Sequence, residues 1–114
     1  MTLGVLTGIR VLDFGRYVAG PYCATLLGYL GAEVIRVEKR DGGEDRYIAP
    51  LFEGGDGGVF FQTACNKKSV TLDPASERGR EVVRRLVRTA TSSSQTCHPP
   101  PCGRSGSTTR RCAP

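Results

Sequence analysis

The chain has no Trp, and only one Met and one His, among 114 residues. It has no run of about 18 apolar residues, so no membrane-spanning helix is expected. Met1-Thr2-Leu3-Gly4 carries no basic segment leading into a long apolar stretch, so no secretory signal is expected and a cytoplasmic, reducing compartment is the default. The lone histidine, His98, lies far from the apolar segments, so residues 1–90 offer no Ser-His-Asp or Cys-His arrangement. No two carboxylates are paired by spacing for general acid–base work; Asp13, in an otherwise apolar segment, reads as a hydrogen-bonded structural carboxylate. The length suits one domain rather than two.

A second set of absences divides the chain. Residues 91–114 contain no Val, Ile, Leu, Met, Phe, Tyr or Trp and no acid, but hold 9 Ser/Thr, 4 Pro, 3 Cys and 3 Arg. Such a segment cannot build a core. It supplies +3 of the +5 formal charge, leaving 13 bases against 11 acids in residues 1–90. The basic balance is therefore poor support for a nucleic-acid partner. Cys97-His98 with Cys102 matches no paired-knuckle zinc spacing, so no metal site is expected. An odd cysteine count without a secretory signal argues against a disulfide framework. Cys23 and Cys65 sit in apolar contexts and read as buried, inert thiols.

What is present is an α/β pattern. Arg10-Val11-Leu12-Asp13-Phe14 reads as a strand and Gly15 to Gly20 as a turn. Pro21 suits the first position of a helix, with Cys23, Leu26, Leu27 and Leu30 forming one apolar face and Gly31 closing it. Glu33-Val34-Ile35-Arg36-Val37-Glu38 reads as a second strand. Strand, helix and strand in so short a span make a βαβ unit and imply a parallel sheet. Residues 39–58 form a polar, Gly-rich loop of a length that marks functional or mobile segments. A short helix from Val59 to Ala64 and a strand Ser69-Val70-Thr71-Leu72 follow. Asp73 is the expected N-cap, with Pro74 at N1, of a helix whose apolar face is Val82, Val83, Leu86 and Val87; its arginines form a solvated surface. A covering strand is then due near residue 91, where Thr-Ser-Ser-Ser stands instead, so the α/β unit is expected to end at Ala90.

Two motifs can carry chemistry. The turn Gly15-Arg16-Tyr17-Val18-Ala19-Gly20 opens a helix, whose N-terminal amides can receive an anion; a plain tight turn fits the residues as well. It is neither the three-glycine dinucleotide fingerprint nor a P-loop. Lys39-Arg40 follow the second strand, at the carboxyl edge where open α/β sheets bind ligands. A phosphorylated ligand and a solvated charge pair both fit that spacing. Asn66-Lys67-Lys68 precede the third strand and are expected at the opposite end of the sheet unless the loop folds over.

Three segments taken together resemble the N-terminus of a family III CoA-transferase, a group that includes formyl-CoA:oxalate CoA-transferase, carnitine CoA-transferase and alpha-methylacyl-CoA racemase. They are Val11-Leu12-Asp13-Phe14-Gly15-Arg16-Tyr17-Val18-Ala19-Gly20-Pro21, then Leu30-Gly31-Ala32-Glu33-Val34-Ile35-Arg36-Val37-Glu38, then Asn66-Lys67-Lys68-Ser69-Val70-Thr71-Leu72-Asp73. The resemblance covers nearly all of residues 6–90, and the last segment leans toward the transferases over the racemases. It implies an incomplete Rossmann-like parallel sheet, the start of a CoA-binding N-terminal domain in a longer chain that forms interlocked homodimers. It places Arg16, Tyr17, Val18 and Ala19 at the turn that contacts CoA and Lys39 near the nucleotide phosphates. Leu72, Asp73, Pro74 and Ala75 fall around the adenosine. Some members carry His at position 16 and Lys at position 75; Ala75 removes a possible phosphate contact. The acyl-CoA donor and carboxylic acid acceptor stay open.

The family mechanism that the resemblance implies is covalent: an Asp carboxylate attacks the acyl-CoA to form a mixed anhydride and release CoA thiolate, and the thiolate attacks the aspartyl carbonyl to give an aspartyl-CoA thioester and the free acid. No residue of this sequence matches that Asp, and the glycine-rich loop that shields the intermediates has no counterpart. The expectation is thus a truncated enzyme of acyl-CoA metabolism, inactive alone, that needs no metal. The alternatives are a standalone CoA- or nucleotide-binding module and a fragment of a racemase; a nucleic-acid-binding protein rests only on charge. In the family a strand of the type Asp-Val-Val-Val follows the last helix. If Ala90 to Ser94 were coded GCG ACG TCG TCG TCG, a one-nucleotide shift would read Asp-Val-Val-Val. Residues 1–90 are thus expected to be a partial CoA-binding domain, and 91–114 a disordered, out-of-frame tail.

Overall fold

A computed structural model describes residues 4–73 and 75–94. In chain order the elements are β1 (Arg10–Asp13), α1 (Ala19–Tyr29), β2 (Glu33–Glu38), a 3-10 turn (Glu44–Tyr47), α2 (Gly58–Thr63), β3 (Lys67–Thr71), α3 (Glu77–Thr89) and β4 (Ser92–Ser94). The four strands form one parallel sheet in the order β3-β2-β1-β4. The parallel α/β sheet expected from the strand–helix–strand pattern is the one observed.

The chain steps outward from β1 to β2 to β3, then returns through α3 to lay β4 on the far side of β1. Between β1 and β4 the direction of winding reverses. The carboxyl ends of the strands flanking such a reversal form a crevice, the usual ligand position in an open α/β sheet.

β4 corrects the expectation that the α/β unit ends at Ala90. Ser92, Ser93 and Ser94 pair with Val11, Leu12 and Asp13, and Phe14 N–H donates to Ser94 O at 2.9 Å. Sheet pairing uses peptide groups, which serine has like any residue. What the serines lack is apolar surface to cover α3, on which Val82 and Val87 are exposed while Val83 and Leu86 are half-buried.

Helix α1 packs on a different stripe from the one expected. Its buried residues are Gly20, Pro21, Ala24, Thr25 and Gly28, whereas Cys23, Leu26 and Leu30 are exposed and Leu27 alone is partly buried against the core. Both stripes have helical spacing, so periodicity does not choose between them. Closeness does: the small residues let the helix sit low on the sheet, where Ala24 packs with Val11, Ala32 and Val34. Pro21 is the third helical residue, not the first, because the helix starts at Ala19. The C-terminus is as expected. Gly31 takes φ +100°, and the Gly31 and Ala32 amides donate to Gly28 O and Leu27 O, a Schellman closure.

Three further expectations are corrected. Cys23 and Cys65 are exposed, one on the outer face of α1 and the other in the turn before β3. The N-cap of α3 is Ser76, whose Oγ accepts from Gly79 N–H at 3.0 Å; Asp73 instead accepts from Ala75 N–H at 2.9 Å in a side-chain turn ahead of the helix. Lys67 and Lys68 are the first residues of β3 rather than a segment before it. Pro74, Cys97, His98, Cys102 and Cys112 lie outside the described residues.

Candidate functional site

The site is built on one face of the sheet. Val11 and Asp13, Val34, Arg36 and Glu38, and Lys67, Ser69 and Thr71 lie side by side on the α1 face by register. Toward the carboxyl edge this face turns from apolar to charged, yet Asp13, Arg36 and Glu38 are all buried. Buried charges need partners. Lys67 Nζ reaches across β2 to donate to Asp13 Oδ2 at 2.7 Å and to Pro21 O at 2.6 Å. Thus Lys67 starts at the amino end of the sheet but spends its charge near the carboxyl end. Burial lowers its pKa, against the opposing pull of Asp13.

The loop 39–58 supplies the other partners. Its 3-10 turn places Asp45, fully buried, 2.6 Å from Arg36 Nη2. Arg46 grips Glu38 with two nitrogens, Nε at 2.9 Å and Nη2 at 2.8 Å, while its Nη1 meets Asp56 at 3.0 Å. These bonds, with one from Ser69, hold the Glu38 carboxyl down at about 2. The Phe60 ring covers both guanidiniums, its centroid 3.9 Å from Arg46 Cζ and 5.4 Å from Arg36 Cζ. The loop is therefore strapped to the sheet by ion pairs.

Above this base lie the residues singled out from the sequence. Asp13 Oδ1 accepts from Gly15 N–H at 2.8 Å, folding the chain back at the end of β1. Gly15 has no room for a side chain: a methyl there would lie 2.6 Å from Pro21 Cδ and 2.7 Å from Asp13 Oδ1. Arg16, Tyr17, Val18 and Ala19 follow, all exposed, with Tyr17 at φ +60°. No side chain caps the α1 N-terminus and no acid stands in its first turn. The α1 N-terminus follows the carboxyl end of β1, where the free amides of a helix start carry a partial positive charge.

Lys39 and the end of β3 sit along the same edge. Lys39, Glu38, Arg46, Tyr47, Ser69 and Thr71 are among the residues lining an open, polar cavity of about 300 Å³ at the ends of β2 and β3. Leu72 follows directly, its N–H donating to Glu38 O at 3.0 Å; Asp73 and Ala75 are exposed beyond it. Arg16 and Lys39 are brought together by Glu44, whose Oε1 lies 2.8 Å from Lys39 Nζ and 3.4 Å from Arg16 Nη1. Lys39 holds the Glu44 carboxyl below its ordinary range. Sequence reasoning missed Glu44 and the Asp45–Arg36 and Arg46–Glu38 pairs. The available signal was Arg36 and Glu38, opposite charges two residues apart and so on one face of a strand whose other face carries Ile35 and Val37. Among the described residues no cluster of three or more His, Cys, Asp or Glu could hold a metal ion.

Residues 6–99 match the model of CoA-transferase family III. The chain belongs to CoA-transferase family III. It is 40% identical over 88 residues to formyl-CoA:oxalate CoA-transferase of Streptomyces coelicolor, covering 77% of this chain and 22% of that enzyme. It is 39% identical over 92 residues to succinate–glutarate CoA-transferase of Agrobacterium fabrum, covering 75% and 23%. The crystal structure of a CAIB/BAIF family protein from Brucella suis superimposes with a TM-score of 0.76 at 36% identity, over 82% of this chain and 26% of that one. This chain therefore spans about a quarter or less of the length of the curated relatives it matches.

Proposed function

We propose that this chain is the CoA-binding part of a family III CoA-transferase, an enzyme moving CoA between an acyl-CoA and a carboxylic acid. The observation that carries this reading is the single carboxyl edge. The turn after β1, Lys39 after β2, and Leu72 and Asp73 after β3 all follow the carboxyl ends of their strands, next to the reversal of winding between β1 and β4. In this reading Arg16, Tyr17, Val18 and Ala19 receive the CoA chain at the start of α1. Lys39 neutralises nucleotide phosphate, and Leu72, Asp73, Pro74 and Ala75 flank the adenosine.

No residue of the 114 matches the Asp nucleophile that the family resemblance implies. In this reading these residues by themselves bind CoA without transferring it, and the interlocked homodimer that the family resemblance implies belongs to the longer family members. CoA added to the full chain should raise the midpoint of its thermal melt, and pantetheine, which lacks the nucleotide, should not. Transfer of CoA between two acids by the purified chain would overturn the inactive part of the proposal.

A further inference from the structure

We propose that Glu44 is a built-in counter-anion, which occupies the place of a ligand phosphate between Lys39 and Arg16 and must swing aside for the phosphate to bind. This rests on the reading of the carboxyl edge as a phosphate-bearing ligand's site.

The geometry is specific. One carboxylate oxygen, Glu44 Oε1, contacts cations from two different loops, Arg16 after β1 and Lys39 after β2. A phosphate oxygen bridging the same nitrogens would make the same kind of contact. The side chains are open to solvent, 57% for Lys39, 47% for Arg16 and 35% for Glu44, so an incoming anion can reach the nitrogens. The backbone beneath Glu44 is anchored. Its neighbour Asp45 is fully buried against Arg36, and Arg46 is tied to Glu38 and Asp56. The carboxylate can therefore leave by side-chain rotation while the 3-10 turn stays in place. Glu44 would lower affinity for any anion at this edge and favour ligands that offer more than one negative oxygen.

The test is isothermal titration of the full-length chain and its Glu44→Gln variant with pyrophosphate, CoA and pantetheine. Glu44→Gln should tighten pyrophosphate and CoA about three- to tenfold, the scale of removing two exposed ion-pair contacts. Pantetheine should not respond. The gain should disappear in a Lys39→Ala background. Glu44→Asp, too short to span both cations, should change affinity in the same direction by less, and it serves if the Gln variant does not fold. Unchanged or weaker pyrophosphate binding in Glu44→Gln, or no pyrophosphate binding in either chain, overturns the proposal. A Glu44→Gln gain for pyrophosphate without any CoA binding leaves Glu44's role intact and removes the CoA reading instead.

Discussion

Lys67 and Asp13 form a buried ion pair that ties β3 to β1 across the strand between them, Nζ to Oδ2 at 2.7 Å, with 1% and 0% of the side chains exposed. The same ammonium bonds Pro21 O, so the pair also fixes α1 above the sheet. Removing one partner leaves a buried charge without compensation. Lys67→Met should therefore destabilise the chain by about 3–5 kcal/mol, read as a lowered urea midpoint or loss of cooperative unfolding. Adding Asp13→Asn should recover part of that loss, because the remaining carboxamide can still accept from Gly15 N–H.

Glu38 sets a pH dependence. Its carboxyl is pulled from an ordinary 4.5 to about 2, chiefly by Arg46. A depressed acid contributes stability that is complete above its unfolded value and is lost as pH falls through its folded one. Unfolding free energy should thus decline between about pH 4.5 and pH 2, by roughly 2–3 kcal/mol from this residue. Glu38→Gln should flatten that decline in denaturant titrations across the range. A decline of the same size in the variant would assign the effect to other acids.

The packing of α1 gives a paired test. Ala24 has no exposed surface, whereas Leu26 is 44% exposed. Ala24→Leu should overpack the helix–sheet contact and cost about 1–3 kcal/mol. Leu26→Gln should change stability by no more than about 0.5 kcal/mol. The reverse order in chemical denaturation would restore the Leu face as the core face.

How much of this was legible in the sequence depends on which physical signal carried it. The strand–helix–strand order, β2 from Glu33 to Glu38 and the Gly31 closure were readable, because apolar runs and a left-handed cap are local properties. The α1 core face was not, because two stripes of equal period compete and the smaller residues win by close approach. The covering strand was misread for a related reason. Side-chain chemistry at Ser92–Ser94 opposes a buried strand, while backbone pairing to β1 does not depend on it. At the edge, Arg16 and Lys39 were singled out from the sequence, but the residue that joins them was not. Glu44 is distant from Arg16 in the chain, and only the folded loop brings it there.

The serines of β4 bear on the origin of residues 91–114, which we propose are read out of frame. Sequencing codons 89–92 should reveal a run whose one-nucleotide shift encodes Asp-Val-Val-Val; codons that cannot yield it refute the idea. A physical counterpart follows. Ser93 pairs with Leu12 and is exposed. Ser93→Val should stabilise the chain by up to about 1 kcal/mol, read as a raised urea midpoint, because a β-branched residue suits a strand and adds apolar cover.

The account stands on the carboxyl edge being a CoA site, and amide chemical-shift mapping during CoA titration tests this most directly. Saturable shifts should concentrate at Arg16, Tyr17, Val18 and Ala19, at Lys39, and at Leu72, Asp73 and Ala75. Absence of saturable shifts at millimolar CoA, or shifts confined to the outer faces of α1 and α3, would contradict it.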